Sequence, residues 1–418
     1  MKPISPLPLG ISTSFWFIIG FIRAIHEQLV KLTNRKKTRN VFKKQDIAVI
    51  VPAHNEEKVI GKNLRALSRI LDKRQIFVAS DGSTDKTYEI AKKMKVHAVN
   101  LSPGRGKAKA LTYLISCFRL FSRYRLIFIV DADTEIDRNY LKNALPFFND
   151  AKTAVVFGSA HVHWPRHIIP KDRLQFVSYR IRLNLMLVYF MIYGQTWKYS
   201  NVSYVVPGFA TLYRSDVLKQ LEIDTPGLLI EDFNLAFQLH KKGLGRIAYH
   251  PSIVAWDQHP DNLTDYWNQV KRWNIGFFQT VRHHGFWPSF FYLSLIIFSL
   301  EVFLNSILMV ALPFLLIYLI LPSIWPNDLL IMDYQSLYLA FGPFKNLTLN
   351  DILVALFIWD YLMTVFLGII HRKPQFIFYG VFFVFIHFIT SVILLISVIP
   401  GFLSVSDGRW ISPTRRKE

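Results

Sequence analysis

This chain is short of acid and nearly free of cysteine. Its 418 residues carry 29 Asp plus Glu against 49 Lys plus Arg, a formal charge of +20, and one cysteine, Cys117. One cysteine excludes an internal disulfide, and so a disulfide-stapled scaffold, and is compatible with a cytoplasmic catalytic domain. No zinc-finger spacing and no aromatic ribonucleoprotein motif accompanies the positive charge, which argues against nucleic acid as its cause. A basic n-region and a small-x-small cleavage site are also missing, which argues against a cleaved signal peptide. There is no internal repeat. Anionic lipid headgroups and a diphosphate substrate remain as reasons for the charge.

Apolar residues are abundant instead. They make up 51% of the chain, 15% of it is aromatic, and the mean hydropathy is +0.25. That balance predicts membrane segments, and the long apolar runs lie at the two ends. Residues 1–45 read as a membrane-associated segment followed by a basic linker. Ile11 to Val30 is apolar only as far as Ile22, before Arg23, His26 and Glu27. It suits a tilted span or an interfacial amphipathic helix equally. The linker Lys31 to Lys44 (Arg35, Lys36, Lys37, Arg39, Lys43 and Lys44) reads as a cytoplasmic positive-inside anchor. Residues 289–400 read as transmembrane helices: Phe290 to Leu321, with Glu301 and Asn305 inside it, then Ile352 to Ile370 and Phe376 to Ile399. The hairpin between the last two carries Arg372 and Lys373 and should face the cytoplasm. The basic tail within 401–418, Arg415-Arg416-Lys417, would then lie outside, against the same rule. A bent or re-entrant Phe290 to Leu321 with an inverted hairpin removes that conflict.

Residues 46–288 have a different texture. Ile47 to Val51, Ile76 to Ala79 and Leu126 to Val130 read as buried strands, and Glu57 to Leu71 and Lys86 to Met94 as helices. Strands apolar on both faces and alternating with helices predict an α/β domain with a mostly parallel sheet. In such sheets a ligand lies beyond the carboxyl ends of the strands.

Four polar constellations stand at those ends or on short helices. Pro52-Ala-His-Asn-Glu56 follows the first strand and Ser80-Asp-Gly-Ser-Thr-Asp85 the second. Taken alone the latter is a capped turn, since Ser83, Thr84 and Asp85 are good helix-capping residues. A functional reading places Asp81, helped by Glu56, on a uridine nucleotide. Asp131-Ala-Asp133 offers two carboxylates at i and i+2, a pattern suited to Mg2+ or Mn2+ that also fits a solvated acidic loop. Glu231-Asp232 follows the apolar stretch Leu228-Leu-Ile230 and opens a helix, where the dipole favours ionised acids. Asp232 could there serve as a base for a sugar hydroxyl, although helix capping explains both acids as well. Finally, Gln269, Arg272 and Trp273 share one helical face. The guanidinium suits a diphosphate and the indole a sugar ring. An isolated Arg-Trp pair would be an interfacial membrane anchor.

Together these motifs resemble the membrane-bound processive family-two glycosyltransferases, which include cellulose, hyaluronan and poly-N-acetylglucosamine synthases. The resemblance runs from about Asp46 to Trp273 through motifs and beyond through layout. It implies a GT-A fold and an inverting hexosyl transfer from a UDP-sugar, UDP-N-acetylglucosamine or UDP-glucose, to a β-linked polysaccharide. Asp232 would be the catalytic base and Asp133 the metal ligand. Pro52, Glu56, Asp81, Lys107, Asp131, Glu231, Gln269, Arg272 and Trp273 would line the substrates. Lys107 enters through Gly104-Arg-Gly-Lys107, similar to the family's Gly-Lys loop; its plain alternative is a flexible basic turn. Val206-Pro-Gly-Phe209 resembles the acceptor-side segment. The implied partners are a UDP-sugar, a polysaccharide or glycolipid acceptor, membrane lipids and an accessory export subunit. The implied setting is the cell membrane, with a cytoplasmic catalytic domain. Transfer of a single sugar to a membrane lipid and a catalytically silent carbohydrate-binding scaffold are the competing readings. Ser80, Pro207 and Asn234 depart from the family pattern. His161, His163 and His167 match no family motif and read as structural.

Overall fold

The computed structural model describes residues 10–33, 40–162 and 173–406. His163, His167, residues 34–39 of the basic linker and the Arg415-Arg416-Lys417 tail lie outside them. The strands are β1 Ile47–Ala53, β2 Ile76–Asp81, β3 His97–Leu101, β4 Leu126–Val130, β5 Glu135–Ile136, β6 Thr153–Val162, β7 Ala210–Arg214 and β8 Arg246–Asp257. They form one eight-stranded sheet in the order β3-β2-β1-β4-β7-β6-β8-β5. The ladders joining β3, β2, β1 and β4 are parallel, as is β6 with β8; β7 runs antiparallel to both β4 and β6. The sheet is therefore mostly parallel, as expected. Val49, Val51, Val78, Phe128 and Val130 pack on one face, and Ala48, Ile50, Phe77, Ile127 and Ile129 on the other. That two-sided burial is why these strands read as unbroken apolar runs.

The expected elements shift in detail. β1 extends through Pro52 to Ala53, and the first two helices contract to Ile60–Ser68 and Thr87–Lys93. Leu228-Leu-Ile230 is loop, and its Ile230 packs against a helix. Gly276 of the Leu263–His284 helix meets Ile230 so closely that an added Cβ would lie 2.7 Å from it.

The N-terminal helix, Ile11–Thr33, turns its charges inward. Arg23 is buried, donating to Tyr193 O and Tyr249 O at 2.8 Å each and pairing with Glu27. Ile11, Phe15, Ile18, Phe21, Ile22, Ile25 and Leu29 form an exposed stripe on the other side. Its start is held by Glu301, which accepts from Gly10 N at 3.0 Å and Ser12 N at 2.5 Å. The acid inside the longest apolar run is thus a helix cap.

Among the described residues, two helices are long and apolar enough to cross a membrane, Phe290–Ile324 and Phe383–Leu403. The expected span over 352–370 is helical throughout but not uniformly α: it runs as Leu349–Val354, a wider π-type stretch Ala355–Leu362, and Met363–Ile370. Inside it Asp360 pairs with Arg182 of the Leu174–Met186 helix. The last run is also split, into Gln375–Gly380 and Phe383–Leu403. The final helix lies alongside Leu263–His284: Tyr266 Oη meets Thr390 Oγ1 at 2.5 Å, and Arg282 Nη1 donates to Phe402 O at 2.6 Å. Beyond it, Ser406 N donates to Gly227 O at 3.2 Å. Leu367 and Phe376, which bracket the basic hairpin, pack on Val177, Ile181 and Leu185. The hairpin and the segment after the last helix therefore both touch the 46–288 domain.

Candidate active site

The carboxyl ends of β1, β2 and β4 open onto one polar cluster. Two loops there are stitched together: Thr84 N donates to Asn55 Oδ1 at 2.8 Å, and Glu57 N to Asp85 Oδ2 at 3.0 Å. Glu56 is buried with its N–H on Thr87 Oγ1 at 2.8 Å, and Pro52 is buried beside Ala79. Asp81 ends β2 and is 2% exposed. Its two carboxylate oxygens accept from Arg105 N at 2.8 Å and Gly106 N at 2.7 Å. Asp81 thus fixes the Gly104-Arg-Gly106 loop, and Gly82 (φ +65°) allows the approach, since a Cβ there would lie 2.7 Å from Gly104.

That loop delivers Lys107. Its Nζ lies 2.9 Å from Asp131 Oδ1 and 2.8 Å from Glu231 Oε1. Lys107 is no flexible basic turn; it bridges the acids at the end of β4 and the start of the Glu231–Lys241 helix. Burial opposes its charge, yet Asp131, Glu231 and Asp232 outweigh this and hold its pKa well above the usual lysine value. Glu231, buried but paired with Lys107 and near Arg272, is lowered. Asp232 goes the other way. Burial and the adjacent Glu231 raise it to about 8, against the pull of Lys107 and the Gly208 N–H. The helix dipole was expected to keep both acids ionised; desolvation and like charge win at Asp232.

Gly208 closes this cluster. It has no side chain because none fits: an added Cβ would lie 2.6 Å from Asp232 Oδ1, 2.8 Å from Lys107 Nζ and 3.2 Å from Glu231 Oε1. Its neighbour Phe209 accepts from Asp131 N at 3.0 Å, and Val206 N donates to Asp232 O at 3.3 Å. The Val206–Phe209 segment thereby ties the β4 end to the Glu231-Asp232 turn.

The Leu263–His284 helix forms the facing wall. Arg272 lies close enough to Glu231 to help lower its pKa. Gln269 Oε1 and Asp232 Oδ1 are buried and find no hydrogen-bond partner among the described residues. Buried orphan oxygens are rare in folded proteins and mark where a ligand group belongs. Trp273 has Arg180 over its ring, 5.1 Å from the centroid. The departure at Asn234 has a local reason: its amide donates to Glu222 O and Thr225 Oγ1 and accepts from His284, a double donation no aspartate can make. His161 rests against Trp256, its pKa lowered by burial.

Asp131 and Asp133 fit a hard divalent cation. Burial and the neighbouring Asp133 raise Asp131 to about 6 against the pull of Lys107, a repulsion between carboxylates that a cation would relieve. Among the described residues no three His, Cys, Asp or Glu side chains gather into a metal cage. Mg2+ and Mn2+ need none when a substrate's phosphates complete the shell.

A family model described as "Glycosyltransferase like family 2" matches residues 44–276, more than half of the chain. The chain is 26% identical over 270 residues to the poly-beta-1,6-N-acetyl-D-glucosamine synthase of Staphylococcus aureus (strain COL), covering 63% of this chain and 62% of that one. It is 27% identical over 255 residues to the probable glycosyltransferase YdaM of Bacillus subtilis (strain 168), covering 58% and 57%. The matches thus span less than two thirds of either relative. The mannosyltransferase PcManGT of Pyrobaculum calidifontis, solved in complex with GDP-Man and Mn2+, superposes with a TM-score of 0.52 at 15% identity, covering 94% of this chain and 97% of that one. The shared architecture is the GT-A fold.

Proposed function

The chain belongs to the family-two glycosyltransferases, and from that premise we propose that it adds sugars from a UDP-sugar to a growing β-linked polysaccharide at a membrane, with inversion. UDP-N-acetylglucosamine is the foremost donor and UDP-glucose the second. The observation that carries this reading is the unpartnered, buried Asp232 Oδ1 beside Gly208, Lys107 and Glu231, with Arg272 in the facing wall. A carboxylate with a pKa of about 8 is a strong base once deprotonated.

The acceptor hydroxyl gives its proton to Asp232, and its oxygen bonds to the anomeric carbon. The bond from that carbon to the diphosphate oxygen breaks on the opposite face, and UDP departs with the electron pair. Arg272 and Lys107 are the cations placed to balance the charge on the departing diphosphate. Asp133, with Asp131, would hold Mg2+ or Mn2+, which when bound neutralises charge on the donor's phosphates. Glu231 stays ionised, so that Lys107 remains oriented and the proton goes to Asp232. Asp81 and Glu56 support the nucleotide end by fixing the loops around it.

The exposed stripe of Ile11–Thr33 and the apolar helices after Phe290 support an integral membrane protein whose catalytic domain faces the cytoplasm. Domain limits at about residues 46 and 288 suit that layout. Incubating the purified protein in lipid vesicles with radiolabelled UDP-sugars, then sizing the products, tests the reading. Long polymer or a ladder is expected. A single added sugar on a lipid would favour single transfer, and no transfer from any UDP-sugar would remove the proposal.

A further inference from the structure

Arg180 is a buried cation that the mechanism leaves unused. It lies on the Leu174–Met186 helix and is 5% exposed. Its guanidinium is 5.1 Å from the ring centroid of Trp273 and 5.7 Å from that of Tyr266. Its Nη2 and Nε lie 3.0 and 3.3 Å from His259 Nδ1. His259 Nε2 in turn lies 3.1 Å from Asp257 Oδ1, at the end of β8. A guanidinium only donates, so Nδ1 accepts, and Asp257 stands at ion-pair distance on the other side of the ring without hydrogen-bond geometry. His259 thus sits between Asp257 and Arg180, and the guanidinium of Arg180 lies over the indole.

Buried arginines frequently meet a carboxylate directly, in a two-pronged pair. Arg180 meets its carboxylate through a ring and spends its planar surface on aromatic faces. That arrangement orients a cation more than it neutralises one. Asp257, His259, Arg180 and Trp273 come from a strand end, a loop and two helices, and converge on the indole one residue from Arg272.

We propose that Arg180, held by His259 and Asp257, is a positioning residue for acceptor binding: it covers one face of Trp273, fixes the ring plane, and confines the acceptor sugar to the other face. This rests on the reading of Trp273 as an acceptor platform. A cation over the covered face also withdraws charge from the indole and holds it against rotation, so that stacking sugars meet a set plane.

The test uses the full chain in lipid vesicles, UDP-N-acetylglucosamine as donor and short β-linked N-acetylglucosamine oligomers as acceptors. Arg180→Gln keeps a donor for His259 and removes the charge over the ring. It should raise the acceptor KM roughly tenfold while UDP affinity holds. Arg180→Lys should recover part of the loss. In a Trp273→Ala background, Arg180→Gln should add nothing, because its effect runs through the indole. If Arg180→Gln does not accumulate, His259→Gln loosens the same guanidinium and should give the same split. Additive losses in the Trp273→Ala background, or a parallel loss of UDP affinity, would overturn the proposal alone. No sugar transfer by the unaltered protein would overturn the functional reading and this proposal with it.

Discussion

Replacing Gly208 with alanine should disable the enzyme without unfolding it. The backbone there is open to any residue, so alanine brings no conformational penalty and removes some freedom from the unfolded chain. Its methyl group, however, would start 2.6 Å from Asp232 Oδ1 and 2.8 Å from Lys107 Nζ. Relaxation to ordinary contact needs shifts of roughly 0.6–0.9 Å. Both atoms end flexible side chains, so they can move while the sheet stays in place, and the stability loss should stay near about 1 kcal/mol. Catalysis is less forgiving. A base displaced by most of an ångström should lower turnover roughly 30- to 100-fold, about 2–3 kcal/mol of barrier.

The assay is UDP release in vesicles at matched protein level, with a thermal melt to report folding. Gly61→Ala is the matched control: its methyl group would meet neighbours at 3.5 and 3.6 Å, ordinary contact, and should be silent. A folded Gly208→Ala protein turning over within about twofold of normal would refute the reasoning. The positions of Asp232 and Lys107 would then not set the rate.

Asp232→Asn should lower turnover by roughly 10² or more while UDP binding survives; near-normal turnover would pass the base role to another acid. Because Asp232 must be deprotonated to act and its pKa is raised to about 8, kcat/KM should climb with pH up to that value and level off above it. A flat profile between about pH 6 and 9 would contradict that titration, and the rise should vanish in Asp232→Asn. Activity should disappear with a chelator and return with Mg2+ or Mn2+, whereas undiminished turnover in excess chelator would remove the metal.

The legible parts of the sequence are those whose cause is local. β1, β2 and β4 could be read because burial on both faces makes every residue apolar, and the acids after them fall at the strand ends by that same logic. The antiparallel insertion of β7 between β4 and β6 carries no such signature, since pairing partners are set by distant segments. The apolar stretch ending at Ile230 shows that burial can make a run apolar whether the burying surface is a sheet or, as at Gly276, a helix. Phe383–Leu403 posed the same ambiguity: hydropathy registers an apolar helix without saying whether it crosses a membrane or lies along another helix.

The site divides in the same way. Asp131, Asp133, Glu231 and Asp232 could be picked out by type and spacing; Lys107 entered only through the resemblance of its loop, and its joining of the acids was not legible. Lys107 stands in a loop whose shape is dictated by Asp81, far back in the chain. Asp81 looked like a nucleotide ligand, and in the fold both its oxygens hold backbone N–H groups of that loop. The two adjacent acids show the limit most sharply. Glu231 and Asp232 share a helix turn and a dipole, so local reasoning treats them alike. Lys107 reaches Glu231 at 2.8 Å, whereas burial and the neighbouring charge of Glu231 bear on Asp232. One acid is thereby held ionised and the other is driven to about 8. Two carboxylates whose environments push them apart divide the work, one as a fixed charge and the other as a proton acceptor, and only the tertiary fold decides which is which.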